Sequence, residues 1–221
     1  MIIAIDGPAG SGKTTIGRMV AEALGFALVD TGLFYRAVTV EARQRRIDAD
    51  DAPALTKMIG SIHIDLNTSP LRGTGPLLTI DGRDVSGEAH DPAIAADLSR
   101  ISRVLEVRRL LIDLQRQSAR GNAVVLGRDI GTVIFPDAEA KFFFTAPAAE
   151  RVARRRRELE QASGGATPDA VLEQEVEARD RADESREIAP LRPAPDAIIV
   201  PTEGKSVHEV FEEVMARLPK H

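Results

Sequence analysis

Eight consecutive residues, Gly7-Pro8-Ala9-Gly10-Ser11-Gly12-Lys13-Thr14, fit the pattern G-x-x-x-x-G-K-[ST] at each fixed position. Glycines let the backbone wrap closely around phosphate oxygens, and successive N–H groups form an anion-binding concavity. The N-terminus of the helix that follows adds partial positive charge. In that arrangement Lys13 reaches the β- and γ-phosphates, and the Thr14 hydroxyl, with Thr15 beside it, ligates Mg²⁺. The motif follows an apolar run and opens a helical pattern, which is the context it requires. It implies a bound nucleoside triphosphate held by Gly7 through Thr15.

Three further segments carry groups that suit phosphate chemistry. In Asp30-Thr31-Gly32-Leu33-Phe34-Tyr35-Arg36, a helix would set Thr31 and Tyr35 one turn apart with Arg36 beside them. Ligands of an open parallel sheet bind beyond the C-terminal strand ends, so this segment would share a rim with the phosphate loop. The plainer alternative is that Thr31 caps its helix and Tyr35 is core. Gly127-Arg128-Asp129-Ile130-Gly131-Thr132 follows another apolar run. An arginine there can meet a phosphate bidentately and an aspartate can accept from an amino group or hydroxyl; alternatively the two pair with each other and stiffen a turn.

Two helical stretches are rich in arginine. Arg151 and Arg155 stand at i, i+4, and Arg179, Asp183 and Arg186 at i, i+4, i+7, each set on one face. Such a helix is as a rule merely solvated, and Arg179–Asp183 would then be a routine surface pair. Beside a phosphate loop, however, arginines are what phosphoryl transfer needs, because its transition state is stabilised mainly by positioning and positive charge. The Gly-Gly patch at 162–168 between the two helices suits a lid that closes over the site. A guanine-reading Asn-Lys-x-Asp tetrad and an apolar run ending in Asp-Glu are both absent. A small-molecule or nucleotide kinase is left, its rival being a nucleotide-dependent switch protein whose arginines grip RNA.

These groups need a scaffold, and the chain supplies an alternation of short apolar runs and helical patterns, the sequence form of an α/β protein with a parallel sheet. The spacing predicts strands over 2–5, 27–29, 123–126, 141–144 and 197–200. Helices are predicted over 13–24, 33–45, 104–119, 148–161, 169–184 and 206–217. One stretch breaks the alternation. Strands over 63–66, 77–80 and 83–85 follow one another without a helix, and Asp81-Gly82 between the last two is a strong hairpin signal. A small antiparallel sheet inserted into the α/β core is predicted there, with an exposed loop at 68–76.

Composition removes several classes of function. The 221 residues are 43% hydrophobic and 29% charged, which is globular rather than disordered. Aromatics make up only 4%, so Leu, Ile, Val and Ala must build the core. A net charge of −5 argues against a generic nucleic-acid or membrane-surface binder. The absence of cysteine rules out thiol catalysis and Cys-based metal sites, and the four histidines, at 63, 90, 208 and 221, form no ligand-spaced pair. No leader pattern and no run of 18 apolar residues occurs, so a cytoplasmic protein is expected.

Taken together, the segments at 5–13, 30–36, 84–88, 127–138 and 179–191 closely resemble the bacterial cytidylate kinases, the (d)CMP kinases. The resemblance covers nearly the whole chain. It implies a three-layer α/β/α P-loop kinase fold with a five-stranded parallel sheet, a lid at about 151–180, and an antiparallel insert at 61–99 beside the monophosphate site; the core would be 1–60 and 100–221. The implied activity transfers the γ-phosphate of ATP, with Mg²⁺, to CMP or dCMP, in a monomer that needs no nucleic acid or membrane. A kinase for UMP or shikimate is the alternative within the same chemistry.

The resemblance also assigns roles. Ser99 and Arg108 match the base-reading pair, and Asp129 the acid that completes recognition of cytosine. Arg36, Arg128 and Arg186 match the arginines that hold the CMP phosphate. Arg179 and Asp183 match the ribose contacts, and Thr31 and Tyr35 line the same site. Lys13, Arg128, Arg151 and Arg155 would serve the transfer itself, the last two as lid arginines whose register in the four-arginine run is ambiguous by one residue. Two positions depart from the pattern: Leu126 stands where an acid is common, which questions an acidic contact to Mg²⁺ from that strand, and Glu184 replaces a small polar residue.

Overall fold

In the computed structural model, which describes residues 1–69, 77–163, 168–186 and 188–219, the run Ile2–Asp6 (β1) is the middle strand of a five-stranded sheet. Its companions are Ala27–Asp30 (β2), Ala123–Gly127 (β6), Ala140–Thr145 (β7) and Ile198–Pro201 (β8), in the order β2-β6-β1-β7-β8. All four pairings are parallel. The chain steps from β1 to β2 in one direction and from β6 to β7 in the other. The crevice at the C-terminal ends of β1 and β6 is therefore a topological switch point, where α/β sheets bind ligands.

Both faces of the sheet are covered, as the near-continuous apolar strands require. Ile3, Ile5, Val124, Leu126, Phe142 and Phe144 pack with residues of the helices Lys13–Leu24 (α1) and Val207–Ala216 (α9). Ala4, Val29, Ala123 and Val125 pack on the other face. There they meet Gly32–Gln44 (α2), Ala52–Ile59 (α3) and Leu105–Ser118 (α6). The period-two split of β1 and β6 between these two clusters fixes their register, since a one-residue slip would exchange the faces.

Ile64–Leu66 (β3), Leu78–Ile80 (β4) and Arg83–Asp84 (β5) form the separate antiparallel sheet. The β4–β5 turn takes positive φ at both Asp81 (50°) and Gly82 (80°), the conformation that a two-residue type I′ hairpin demands. Ala148–Ser163 (α7) and Asp169–Glu184 (α8) lie against each other through Val152, Leu172 and Val176. No helix among the described residues is long and apolar enough to cross a membrane. Residues 164–167 of the hinge predicted at 162–168, and residues 70–76 of the loop predicted at 68–76, lie outside the described residues.

Three helices were not predicted from periodicity: α3, Ser86–His90 (α4) and Ala95–Ile101 (α5). None spans much more than two turns, too short for a repeat to emerge. The signals for α3 were at its start instead, where Asp51 accepts from the Ala54 N–H at 3.0 Å and Pro53 occupies the first turn.

Candidate active site

The phosphate loop leaves β1 at Gly7 and enters α1 at Lys13. Gly7 has φ of 145°, and a Cβ there would strike the Phe144 carbonyl of β7. Gly10, at φ 74°, would put a Cβ 3.1 Å from that of Arg151. Glycine is thus required both by conformation and by the packing of the loop against β7 and α7. Lys13 is buried and donates to the Pro8 carbonyl at 2.7 Å, so its ammonium lies folded over the loop. Burial, then Arg128, push its pKa well below the ordinary lysine range, with Asp30 and Asp6 opposing. Thr14 and Thr15 are exposed in the first turn of α1, and no side chain caps that helix.

The end of β6 carries the opposite wall. Asp129 and Arg108 are 7% and 5% exposed, and Arg108 Nη2 donates to Asp129 Oδ2 at 2.5 Å. The Arg108 guanidinium also lies 5.5 Å above the Tyr35 ring and donates to the Ser102 carbonyl at 3.2 Å. That carbonyl follows α5, which carries the half-buried Ser99. Burial raises the Asp129 carboxyl above the ordinary range against the pull of Arg108, and burial likewise raises the Tyr35 phenol. Arg108 thus bridges Asp129 and Tyr35 in one buried cluster; Ser99, expected to pair with Arg108, makes no hydrogen bond to it.

Beside it, Asp183 of α8 accepts from Arg128 Nε at 2.9 Å and from Arg186 Nη2. Burial favours its neutral form, but Arg128, Arg186 and Arg179 together hold the carboxyl below the ordinary range. The pairing is with Arg128 and Arg186, rather than the i, i+4 bond to Arg179 that the helix spacing offered. Arg186 Nε is buried and has no hydrogen-bond partner among the described residues.

Four arginines crowd the space between these walls. Arg36 is held below the ordinary arginine range by burial, with Arg155 and Arg128 adding to the effect and Asp30 opposing. Arg179 is open to solvent at the cleft yet flanked by protein; desolvation, then Arg128, with Arg36 and Arg155, lower it to about 10. Arg36 is anchored by a 2.5 Å bond to the Ala89 carbonyl of α4. A chain with net charge −5 has concentrated mutually repelling cations here. An anion of several charges would relieve that repulsion.

The two arginines expected of a lid divide. Arg155 is exposed and faces the cluster. Arg151 is buried, bidentate to Asp180 of α8 at 3.0 and 2.5 Å, and donates to the Ala9 carbonyl of the phosphate loop. Arg154, not singled out from the sequence, donates to the Gly10 carbonyl and to Thr202 after β8. Thr31 is buried with its hydroxyl given to the Leu126 carbonyl at 2.8 Å. It does not cap α2; Asp30 instead accepts the Gly32 N–H at 3.0 Å. Leu126 is buried against α1, where a Cβ on Gly17 would come within 2.5 Å of it, and Glu184 is exposed.

Sequence reasoning also missed Asp6. Its carboxylate accepts the Ile130 and Gly131 N–H groups, each at 2.8 Å, at the start of the π-helical turn Ile130–Ile134. Its position immediately before the phosphate loop was the only signal available.

Residues 3–220 match the family described as cytidylate kinase. The chain belongs to the cytidylate kinase family. It is similar to the cytidylate kinase of Pelotomaculum thermopropionicum, with 42% identity over 98% of this chain and 95% of that one. It is equally similar to a bifunctional pantoate ligase/cytidylate kinase of Synechococcus, at 42% identity over 97% of this chain, but there it spans only 40% of the relative's length. An uncharacterized protein of Eubacterium ventriosum has a similar fold, with a TM-score of 0.51 at 12% identity over 100% of this chain and 99% of that one. As a cytidylate kinase family member the chain is a P-loop enzyme of phosphoryl transfer.

Proposed function

We propose that the protein transfers the γ-phosphate of MgATP to CMP or dCMP, releasing ADP and CDP or dCDP. The carrying observation is the convergence of Arg36, Arg128, Arg155 and Arg179 with Lys13 between a phosphate loop and a recess that holds an Arg108–Asp129 pair. Two anionic substrates meet there, and the transfer needs alignment and charge neutralisation rather than a side-chain nucleophile.

On this reading Gly7 through Thr15 bind ATP, with Lys13 moving from the Pro8 carbonyl to the donor phosphates. Among the described residues no group of three or more His, Asp or Glu is placed to hold a metal alone. The exposed Thr14 hydroxyl suits Mg²⁺ that arrives on phosphates and keeps most of its water. Bound there, the ion neutralises charge on the transferring group.

Arg36, Arg128 and Arg186 hold the CMP phosphate, and Arg186 Nε, without a partner among the described residues, gives it a buried donor. Asp183 and Arg179 serve the ribose. Asp129 accepts from the cytosine amino group, which is a donor, while Arg108 and Ser99 face the ring's acceptors and Tyr35 with Thr31 shapes the wall. Arg155 acts on the donor phosphates from the lid, and Arg151 anchors that lid to the loop. The insert at 61–99 serves the acceptor, and about 151–180 closes over the donor. The same reading makes the protein a cytoplasmic monomer whose partners are nucleotides, in keeping with its net charge of −5. A coupled ADP-release assay with CMP, dCMP, UMP, AMP, shikimate and RNA, each in turn, tests it. Release dependent on CMP or dCMP is expected; release driven by RNA or by shikimate would refute it.

A further inference from the structure

Asp6 joins the two halves of the site. It is the last residue of β1, directly before Gly7, and it is only 4% exposed. Each of its carboxylate oxygens accepts one N–H, from Ile130 and from Gly131, at 2.8 Å and across more than 120 residues of sequence. Those two amides open the π-helical turn that follows Arg128 and Asp129. Asp129 itself provides no side-chain cap for the turn. We propose that Asp6 is a positioning residue that ties the Arg128–Asp129 turn to the strand end launching the phosphate loop, so that acceptor base, acceptor phosphate and donor phosphate keep one fixed spacing.

The choice of residue supports this. A buried turn can be capped by a hydroxyl or an amide at far lower desolvation cost than by a carboxylate. Only a carboxylate, though, presents two acceptor oxygens to two adjacent donors at once. Lys13 of α1 and Asp129 are the charged groups that act on Asp6, the first favouring its ionised form and the second opposing it. The interaction thus spans one residue from the donor site and one from the acceptor site. Asp6→Asn keeps the shape but turns an NH₂ towards one of the two N–H groups, so the turn must shift while the phosphate loop's own glycine geometry stays intact.

The inference rests on CMP being the acceptor, so wild type is assayed first. Wild type that phosphorylates no CMP overturns that reading, and this inference with it. With active wild type, Asp6→Asn is measured for kcat/KM with CMP and with UMP, for the Kd of a non-hydrolysable ATP analogue, and for its melting temperature. Asp6→Ser, which retains one acceptor in a smaller group, is run in parallel in case Asp6→Asn does not fold. Expected are a loss of about tenfold or more in kcat/KM for CMP and a contraction of the CMP-over-UMP preference by roughly threefold or more, with analogue Kd within about twofold. A lowered melting temperature with an unchanged CMP-over-UMP ratio would show that Asp6 serves the fold alone. Weakened analogue binding with unchanged CMP kinetics would confine it to the phosphate loop. Either result overturns the proposal.

Discussion

Arg108 and Asp129 form a buried ion pair in which Nη2 of Arg108 lies 2.5 Å from Oδ2 of Asp129. The pair presents a donor and an acceptor side by side, complementary to the acceptor and amino groups on one edge of cytosine. Uracil replaces the amino group with a carbonyl, which would face the carboxylate and leave two acceptors unpaired. That mismatch is worth on the order of 1–3 kcal/mol. Asp129→Asn should therefore bring kcat/KM for CMP and UMP closer by a corresponding factor of about five to 150. Steady-state kinetics with both substrates on folded variant checks this. An unchanged ratio would remove Asp129 from base reading.

Arg151 and Arg155 should separate on substitution. Arg155→Ala is expected to lower kcat more than it raises KM for CMP, with little change in melting temperature, because Arg155 is exposed. Arg151→Ala breaks a buried bidentate pair with Asp180 and the contact to the Ala9 carbonyl. It should cost about 3 kcal/mol of stability in addition to turnover. Thermal melts and initial rates of both variants test the division. Matching behaviour of the two would contradict it.

The Asp6 carboxyl titrates at about 6 in the folded protein, above the ordinary 3.8, chiefly because it is buried. The folded state therefore keeps this proton to higher pH than the unfolded chain does, so ionising it removes stability as pH rises from about 4 to about 6. Asp6→Asn has no such titration. Wild-type stability measured against the variant should fall by up to about 3 kcal/mol between pH 4 and pH 7, then level off. Urea unfolding of both proteins across that range gives the difference directly. A pH-independent difference would be inconsistent with a buried, titrating Asp6.

Asp183 binds Arg128 and Arg186 with its two oxygens, so it has two functions to lose. Releasing the arginines should impair CMP and dCMP alike. If the carboxylate also accepts from the ribose 2′-OH, Asp183→Ala should hurt CMP further, by about 1.5–3 kcal/mol in kcat/KM. Arg186→Ala should weaken both substrates by similar factors, since both carry the same phosphate. Equal losses for CMP and dCMP in Asp183→Ala would limit its role to the arginines.

What the sequence made legible was local. Gly7 to Thr14 announce a phosphate loop because glycine, lysine and threonine must stand at fixed spacing between a strand and a helix. Asp81-Gly82 announce a hairpin because both take positive φ. Arg128 and Asp129 were visible at the end of an apolar run, but only the family resemblance, not their spacing, grouped Arg108, Asp183 and Arg186 with them. Arg108 reaches Asp129 from 21 residues away, Asp183 reaches Arg128 from 55, and Asp6 reaches the turn at Ile130 from 124. Such pairings depend on strand order, and no spacing encodes them. Arg154 was indistinguishable from its neighbours in a run of four arginines until the fold showed it bonded to Gly10 and Thr202.

The most direct measurement follows the phosphate itself. With γ-labelled ATP, Mg²⁺ and CMP, the account predicts label in CDP in equal amount to the ADP formed. It further predicts that Lys13→Ala slows this transfer by about a hundredfold or more while CMP still binds, since on the proposed reading Lys13 serves only the donor phosphates. Label appearing in inorganic phosphate, or in no nucleotide acceptor, with wild type would contradict the account.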